Sequence, residues 1–191
     1  MRLFVAAELP DPLRRSVSAC ARGVRERLAD AGVDAGLRWI PPENLHLTIW
    51  FIGELSEPRT TAVLDALSPP LPMPAFEVAI EGFGAFPPAG APRVLWMGIS
   101  RGRDELARAH ELVGARLLPW GFPPEGRAYS AHLTIARVKD AHGRARQAIR
   151  QAVGHEACAA GTAAVTELVV FRSRTAPAGA VYEPLLRVPL I

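Results

Sequence analysis

The sequence predicts an α+β fold of two pseudo-two-fold-related lobes, each an antiparallel sheet backed by helices, with a central cleft between them. Three observations lead there. The tetrapeptide His46-Leu47-Thr48-Ile49 returns as His132-Leu133-Thr134-Ile135, each copy inside an apolar, β-branched stretch of strand type. A strand, an amphipathic helix and a Pro/Gly-rich stretch precede each copy in the same order, so that Leu3 stands to His46 much as Val94 stands to His132. Two copies and no more exclude a solenoid. The chain therefore reads as one bilobal domain over residues 1–191, internally duplicated at about 1–93 and 94–191.

Leu3 to Glu8 is a short buried strand, and Pro10-Asp11-Pro12 supplies a turn, a capping Asp and a Pro suited to a first helical position. Leu13, Val17, Cys20, Val24 and Leu28 then recur at helical spacing, giving an amphipathic helix to about Asp30. Leu37 to Ile40 leads into Pro41-Pro42-Glu43-Asn44, where the prolines oppose helix ahead of the first His motif, whose strand runs to Leu55. Ser56-Glu57-Pro58 caps a short helix with Val63, Leu64 and Leu67 inward, ended by the prolines of Ser68 to Pro74. Phe76 to Glu81 alternates apolar and acidic residues, and the Pro87 to Pro92 turn joins it to Val94–Ile99 as a hairpin. Gly82-Phe83-Gly84 lacks the following helix and Gly-Lys-Ser/Thr of a phosphate loop.

In the second half a helix carries Leu106, Val113 and Leu117 on one face, and Pro119 to Gly126 leads to the second His motif. Asp140 caps a helix with Ala145, Ile149 and Val153 inward, and Val165–Phe171 with Ala180–Leu190 forms a terminal hairpin turning at Thr175 to Gly179.

Composition narrows the classes. Apolar residues at 49% and charged residues at 21% are those of a soluble globular domain, and the net charge of +3 permits an anionic partner without specifying one. Only Lys139 among the 22 basic residues is lysine, which points to a biased coding background. Cys20 and Cys158 fit neither a disulfide framework nor a Cys-x-x-Cys site, so a reducing, cytoplasmic setting is expected. The opening apolar run stops at Glu8, too early for a signal peptide, and no run of about 18 apolar residues is present to span a membrane. A monomer without membrane attachment is expected.

The chemistry lies in the repeated motif. On a strand, His and Thr at i and i+2 share one face while Leu and Ile share the other, so one face can be cleft and the other core. Two imidazoles facing across a cleft suit acid–base work, one neutral to take a proton and one charged to give one. The Thr48 and Thr134 hydroxyls can donate to non-bridging phosphate oxygens as charge builds there. A compact phosphodiester is the natural substrate. A zinc centre wants three or four ligands, and each motif offers a single imidazole with no neighbouring carboxylate or thiolate. His110, His142 and the His155-Glu156-Ala157-Cys158 stretch carry no such pattern; His110 and His142 read as solvated.

At these residues the chain resembles the 2H phosphoesterase superfamily, and within it the RNA 2′,3′-cyclic phosphodiesterases once called 2′-5′ RNA ligases. The resemblance rests on the paired H-x-T-Φ motifs (Φ apolar), the Leu3-Phe4-Val5-Ala6 start, Trp39 to Thr48 with its Pro-Pro-Glu-Asn lead-in, Ala131 to Arg137, and Val181-Tyr182-Glu183-Pro184-Leu185. It implies hydrolysis of a cyclic phosphate at an RNA end, or on a small cyclic nucleotide, to a 2′-phosphate with no metal and no cofactor. His46 would be the proton donor to the departing 3′ oxygen and His132 the proton acceptor, with Thr48 and Thr134 holding the phosphate. Phe51 and Arg137, five positions beyond each His, would contact the nucleoside.

Parity opposes this last role. Five is odd, so a regular strand turns both residues away from the cleft. Either a bulge, strong twist or strand end intervenes, or Phe51 is core and Arg137 a surface residue. Trp39 is either a second stacking residue at the cleft rim or core, and Arg127 and Lys139 either guide RNA or are simply solvated. Two other activities share the motif: ATP-independent 2′-5′ ligation at the same site, and nucleotide or RNA binding without turnover.

Overall fold

A computed structural model of the chain describes residues 1–33, 36–124, 126, 128–139, 141–155, 157–176 and 179–191. The strands are β1 (Arg2–Glu8), β2 (Leu37–Trp39), β3 (His46–Glu54), β4 (Phe76–Phe86), β5 (Val94–Arg101), β6 (His132–Val138), β7 (Ala159–Val165), β8 (Glu167–Ala176) and β9 (Gly179–Pro189). The helices are α1 (Asp11–Asp30), α2 (Glu57–Leu67), α3 (Arg103–Leu117) and α4 (Gly143–His155). One antiparallel sheet has the order β3-β1-β8-β9 and the other β2-β6-β5-β4-β7. This is the α+β architecture of two helix-backed sheets that the repeated pattern implied.

The wiring crosses over. The sheet built on β1 and β3 is completed by β8 and β9 from the C-terminal end, while β2 and β4 leave the N-terminal half to join β5, β6 and β7. The helices cross too: α1, which follows β1, packs on β7 of the other sheet, and α3, which follows β5, packs on β3. All five positions of the apolar stripe Leu13, Val17, Cys20, Val24 and Leu28 are buried in that arrangement. Burial of five such side chains, at roughly 1.5–3 kcal/mol for each large one, holds α1 far more strongly than its propensity would.

Several details differ from the sequence reading. Cys20 and Cys158 form a disulfide with their Cα atoms 5.8 Å apart, so the reading of them as unpaired is corrected, and with it the ground given for a reducing compartment. The 138-residue separation hid the pairing: only packing of α1 along β7, with Leu13 against Gly161, brings the two cysteines together. Strand β7 itself was missed because Ala159-Ala160-Gly161-Thr162-Ala163-Ala164 has little β propensity, and it forms as an edge strand on β4. The strand expected over Phe76–Glu81 runs on to Phe86 through a bulge at Gly82, so the Gly82–Phe86 stretch dismissed as a phosphate loop is strand.

Pro41 and Pro42 do not exclude helix; Pro42 opens a single 3₁₀ turn, Pro42–Asn44, where a missing N–H costs nothing. Neither helix cap uses its side chain: Asp11 lies within the first turn of α1, 3.5 Å from Arg14, and Ser56 accepts from Thr60 through its carbonyl. Asp140 and part of the 175–179 turn lie outside the described residues. No described helix is long and apolar enough to cross a membrane.

Candidate active site

Each His motif opens a strand, β3 at His46 and β6 at His132, and the two strands behave alike along their length. Both read half-buried His, buried Leu, half-buried Thr, buried Ile, buried residue, exposed residue. The alternation breaks at the same place in each. Ala6 pairs with Thr48 and Val5 with Trp50, leaving Ile49 unpaired; Trp96 pairs with Thr134 and Leu95 with Ala136, leaving Ile135 unpaired. A one-residue bulge at each Ile shifts parity, returning Phe51 and Arg137 to the face that carries the His and Thr. That settles which way they point. Phe51 is 60% exposed, against the core alternative, and joins Thr48 and His132 in lining one cavity of about 830 Å³.

The imidazoles are held identically. His46 Nδ1 is 2.7 Å from the Asn44 carbonyl, and His132 Nδ1 is 2.7 Å from the Ser130 carbonyl. A carbonyl oxygen can only accept, so each Nδ1 carries the proton and each Nε2 is left for chemistry. Asn44 is fixed in turn by its side-chain N–H donating 2.8 Å to the Ala180 carbonyl on β9.

Each imidazole also meets an aromatic ring edge-on, Tyr182 against His46 at 5.2 Å and Phe86 against His132 at 5.0 Å. Phe4 adds a second ring at 4.9 Å from His46, at the margin of the apolar cluster of Phe4, Ala6, Val169 and Phe171. Burial holds the His46 pKa down at about 4, against the raising effect of the Asn44 bond and reinforced by the charges of Arg137, Arg14 and His132. Burial likewise lowers His132, with Arg137 adding to it. Both imidazoles are therefore pushed toward the neutral form, His46 the more clearly with its value near 4, and each feels Arg137.

The cavity reaches beyond the motifs. Its walls include Phe86 at the end of β4, Pro87 and Arg93 from the β4–β5 turn, and Phe122 and Tyr129 from the segment before β6. His46, Thr134 and Arg137 sit on the cleft faces of their strands but outside those walls. From α4, Arg150 donates to the carbonyls of Pro87 and Gly90, each at 3.0 Å. From α2, Arg59 donates to the Trp120 carbonyl at 2.9 Å and lies over the Phe122 ring. Tyr129 ties the sheets together: its hydroxyl donates 2.9 Å to the backbone carbonyl of Thr48.

His110, read as solvated, is instead stacked between Tyr129 and Trp50, with both centroids 4.6 Å away. Trp50 lies against Gly114 of α3, where a Cβ would come within 2.6 Å of the indole, so that glycine admits the ring. Sequence alone gave no signal for His110, since its ring partners come from two distant segments, Trp50 on β3 and Tyr129 before β6; the Tyr182 ring was visible only as part of a matching stretch. Trp39 packs on the core side of β2, away from the cleft face that Arg38 occupies. Lys139 is exposed, and Arg127 lies outside the described residues. No three His, Cys, Asp or Glu side chains converge as a metal set among the described residues.

Comparison with known proteins bears on this geometry. The LigT-like phosphoesterase family profile matches in two consecutive segments, residues 8–96 and 98–182. The chain is 32% identical over 185 residues to an RNA 2′,3′-cyclic phosphodiesterase of Archaeoglobus fulgidus, covering 97% of this chain and 98% of that one. It is 32% identical over 186 residues to the protein of the same name from Methanothermobacter thermautotrophicus, covering 95% of each. The crystal structure of TT0787 of Thermus thermophilus superposes with a TM-score of 0.74 at 26% identity, over 100% of this chain and 98% of that one. E. coli LigT complexed with 3′-AMP superposes equally well, TM-score 0.74 over 99% and 97% of the chains, at 23% identity.

Proposed function

Because this chain belongs to the LigT-like phosphoesterase family, we propose that it opens 2′,3′-cyclic phosphates at RNA ends or on small nucleotides to 2′-phosphates, by two-histidine acid–base catalysis without a metal. One observation carries the reading: two imidazoles on the cleft faces of matched strands, each with Nδ1–H committed to a carbonyl and Nε2 available. Binding alone needs no such matched pair. The relatives named for this reaction and the 3′-AMP bound by E. coli LigT support the substrate class. The double match of the family profile supports the internal duplication at about 1–93 and 94–191.

Water enters on the side of His132, whose Nε2 takes its proton, while His46 delivers a proton to the departing 3′ oxygen. Thr48 and Thr134 donate to the non-bridging oxygens, and Phe51 and Arg137 flank the nucleoside. Burial holds His46 at about 4, and the anionic phosphate supplies the field that raises its pKa on binding. The depth of that depression favours a second reading with the roles exchanged, since the first proton then goes more readily to His132.

Turnover of adenosine 2′,3′-cyclic phosphate tests the proposal, with the product identified by phosphorus NMR. The expected product is the 2′-phosphate, at a rate that EDTA leaves unchanged. A 3′-phosphate product, or chelator loss restored by one divalent ion, would refute it. A substrate with a far more acidic 3′ leaving group should rescue His46→Ala and not His132→Ala; the opposite rescue exchanges the roles. Incubation of cyclic-phosphate and 5′-hydroxyl RNA ends at high concentration measures the ligase alternative directly.

A further inference from the structure

Arg38 and Arg137 stand directly opposite each other in the antiparallel β2–β6 pair, so both side chains occupy one face. It is the cleft face, because the Ile135 bulge turns Arg137 that way, and both residues are exposed. Two guanidiniums held opposite one another repel. Neither has a carboxylate at ion-pair distance among the described residues, whereas Arg14, Arg101, Arg108, Arg172 and Arg187 all do. The tip of Arg38 also reaches over the cleft: one terminal nitrogen lies 3.1 Å from where a Cβ on Gly179 of β9 would stand. Two cationic side chains thus share the cleft face of the edge strand β2 and its neighbour β6, at a cost in repulsion that an anion would remove. The next position on that face of β6 is Thr134, where the reacting phosphate is placed.

We propose that Arg38 and Arg137 form a second anion seat, which binds the phosphodiester immediately upstream of the cyclic phosphate. A strand end is then a better substrate than a lone cyclic nucleotide. This rests on the cyclic-phosphodiesterase reading and sharpens it. The planar guanidinium fork matches two phosphate oxygens, and the opposed register brings two forks to one group.

The test compares adenosine 2′,3′-cyclic phosphate with an adenylyl dinucleotide ending in the same cyclic phosphate, for the parent chain, Arg38→Gln and Arg38→Lys. The parent should favour the dinucleotide about ten-fold in kcat/KM, mainly through KM, and Arg38→Gln should remove most of that preference. The log–log salt slope for the dinucleotide should flatten by about 0.7 in Arg38→Gln and by less in Arg38→Lys, which keeps the charge. The Tm of Arg38→Gln should equal or exceed the parent's, since a repulsion is removed. A parent without dinucleotide preference, a preference and salt slope unchanged by Arg38→Gln, or a marked fall in its Tm would overturn the seat. Calorimetric binding of adenosine 2′-phosphate and of the matching dinucleotide 2′-phosphate separates the two levels. Loss of turnover with both substrates sinks the catalytic reading, and equal binding of both products by parent and Arg38→Gln sinks the seat.

Discussion

Replacing His46 by Gln should make the fold more resistant to acid. The ordinary imidazole pKa of 6.5 applies in the unfolded chain, whereas burial holds the folded group at about 4. Between those values the unfolded chain binds a proton that the folded one does not, so stability falls as pH drops through this window. From pH 7.5 to pH 5 the linkage for His46 alone comes to about 2 kcal/mol, and it approaches about 3 kcal/mol below pH 4. His46→Gln abolishes this dependence, although losing the ring against Phe4 and Tyr182 lowers stability at every pH. The difference between the two pH values, not the absolute stability, is therefore the quantity to read. Urea unfolding of parent and variant at pH 7.5 and pH 5 supplies it. A variant that loses as much stability on acidification as the parent would refute the claim that His46 is stored neutral.

The same depression should appear in kinetics: kcat/KM should be bell-shaped, with its alkaline limb below the ordinary 6.5, because burial lowers both imidazoles. A profile flat from about pH 5 to 9 in a chemistry-limited assay contradicts two titrating catalysts. Thr48→Val and Thr134→Val should each slow turnover about 10- to 10³-fold with folding intact, as loss of one donor to developing charge does, and wild-type rates in either would remove that Thr from the mechanism. Cys158→Ser should lower the unfolding free energy by about 5 kcal/mol on a chain-entropy basis, the bond closing a separation of 138 residues. Identical urea midpoints for the parent with and without reductant would show that the bond contributes nothing.

How much of this was written in the chain depends on the range of the interaction. The helical stripe of α1 and the His-x-Thr faces are local periodicities, legible because neighbouring residues decide them. Phe51 and Arg137 were ambiguous because a bulge leaves no mark on composition; it is decided by which residue of the partner strand is paired, and here the same slip occurs at Ile49 and Ile135. The disulfide, the stacking of His110 and the Tyr129 bond to Thr48 all join residues far apart in sequence, so their evidence is tertiary. Strand β7 was hidden for the opposite reason: its Ala and Gly residues pair through backbone alone, and no side-chain alternation announces it.

The crossed wiring of the sheets has a practical consequence. A chain cut in the β4–β5 turn would give one piece holding β1 to β4 and another holding β5 to β9, and neither would own a whole sheet. The first would keep β3 beside β1 but leave β1 without β8, and the second would leave β6 without β2 and separate β5 from β7, between which β4 lies. Each piece would expose open strand edges that only the other can cover, so the two are obligate complements. Catalysis would then report reunion, because His46 would travel with one fragment and His132 with the other: the molecule is already laid out as a two-part reporter.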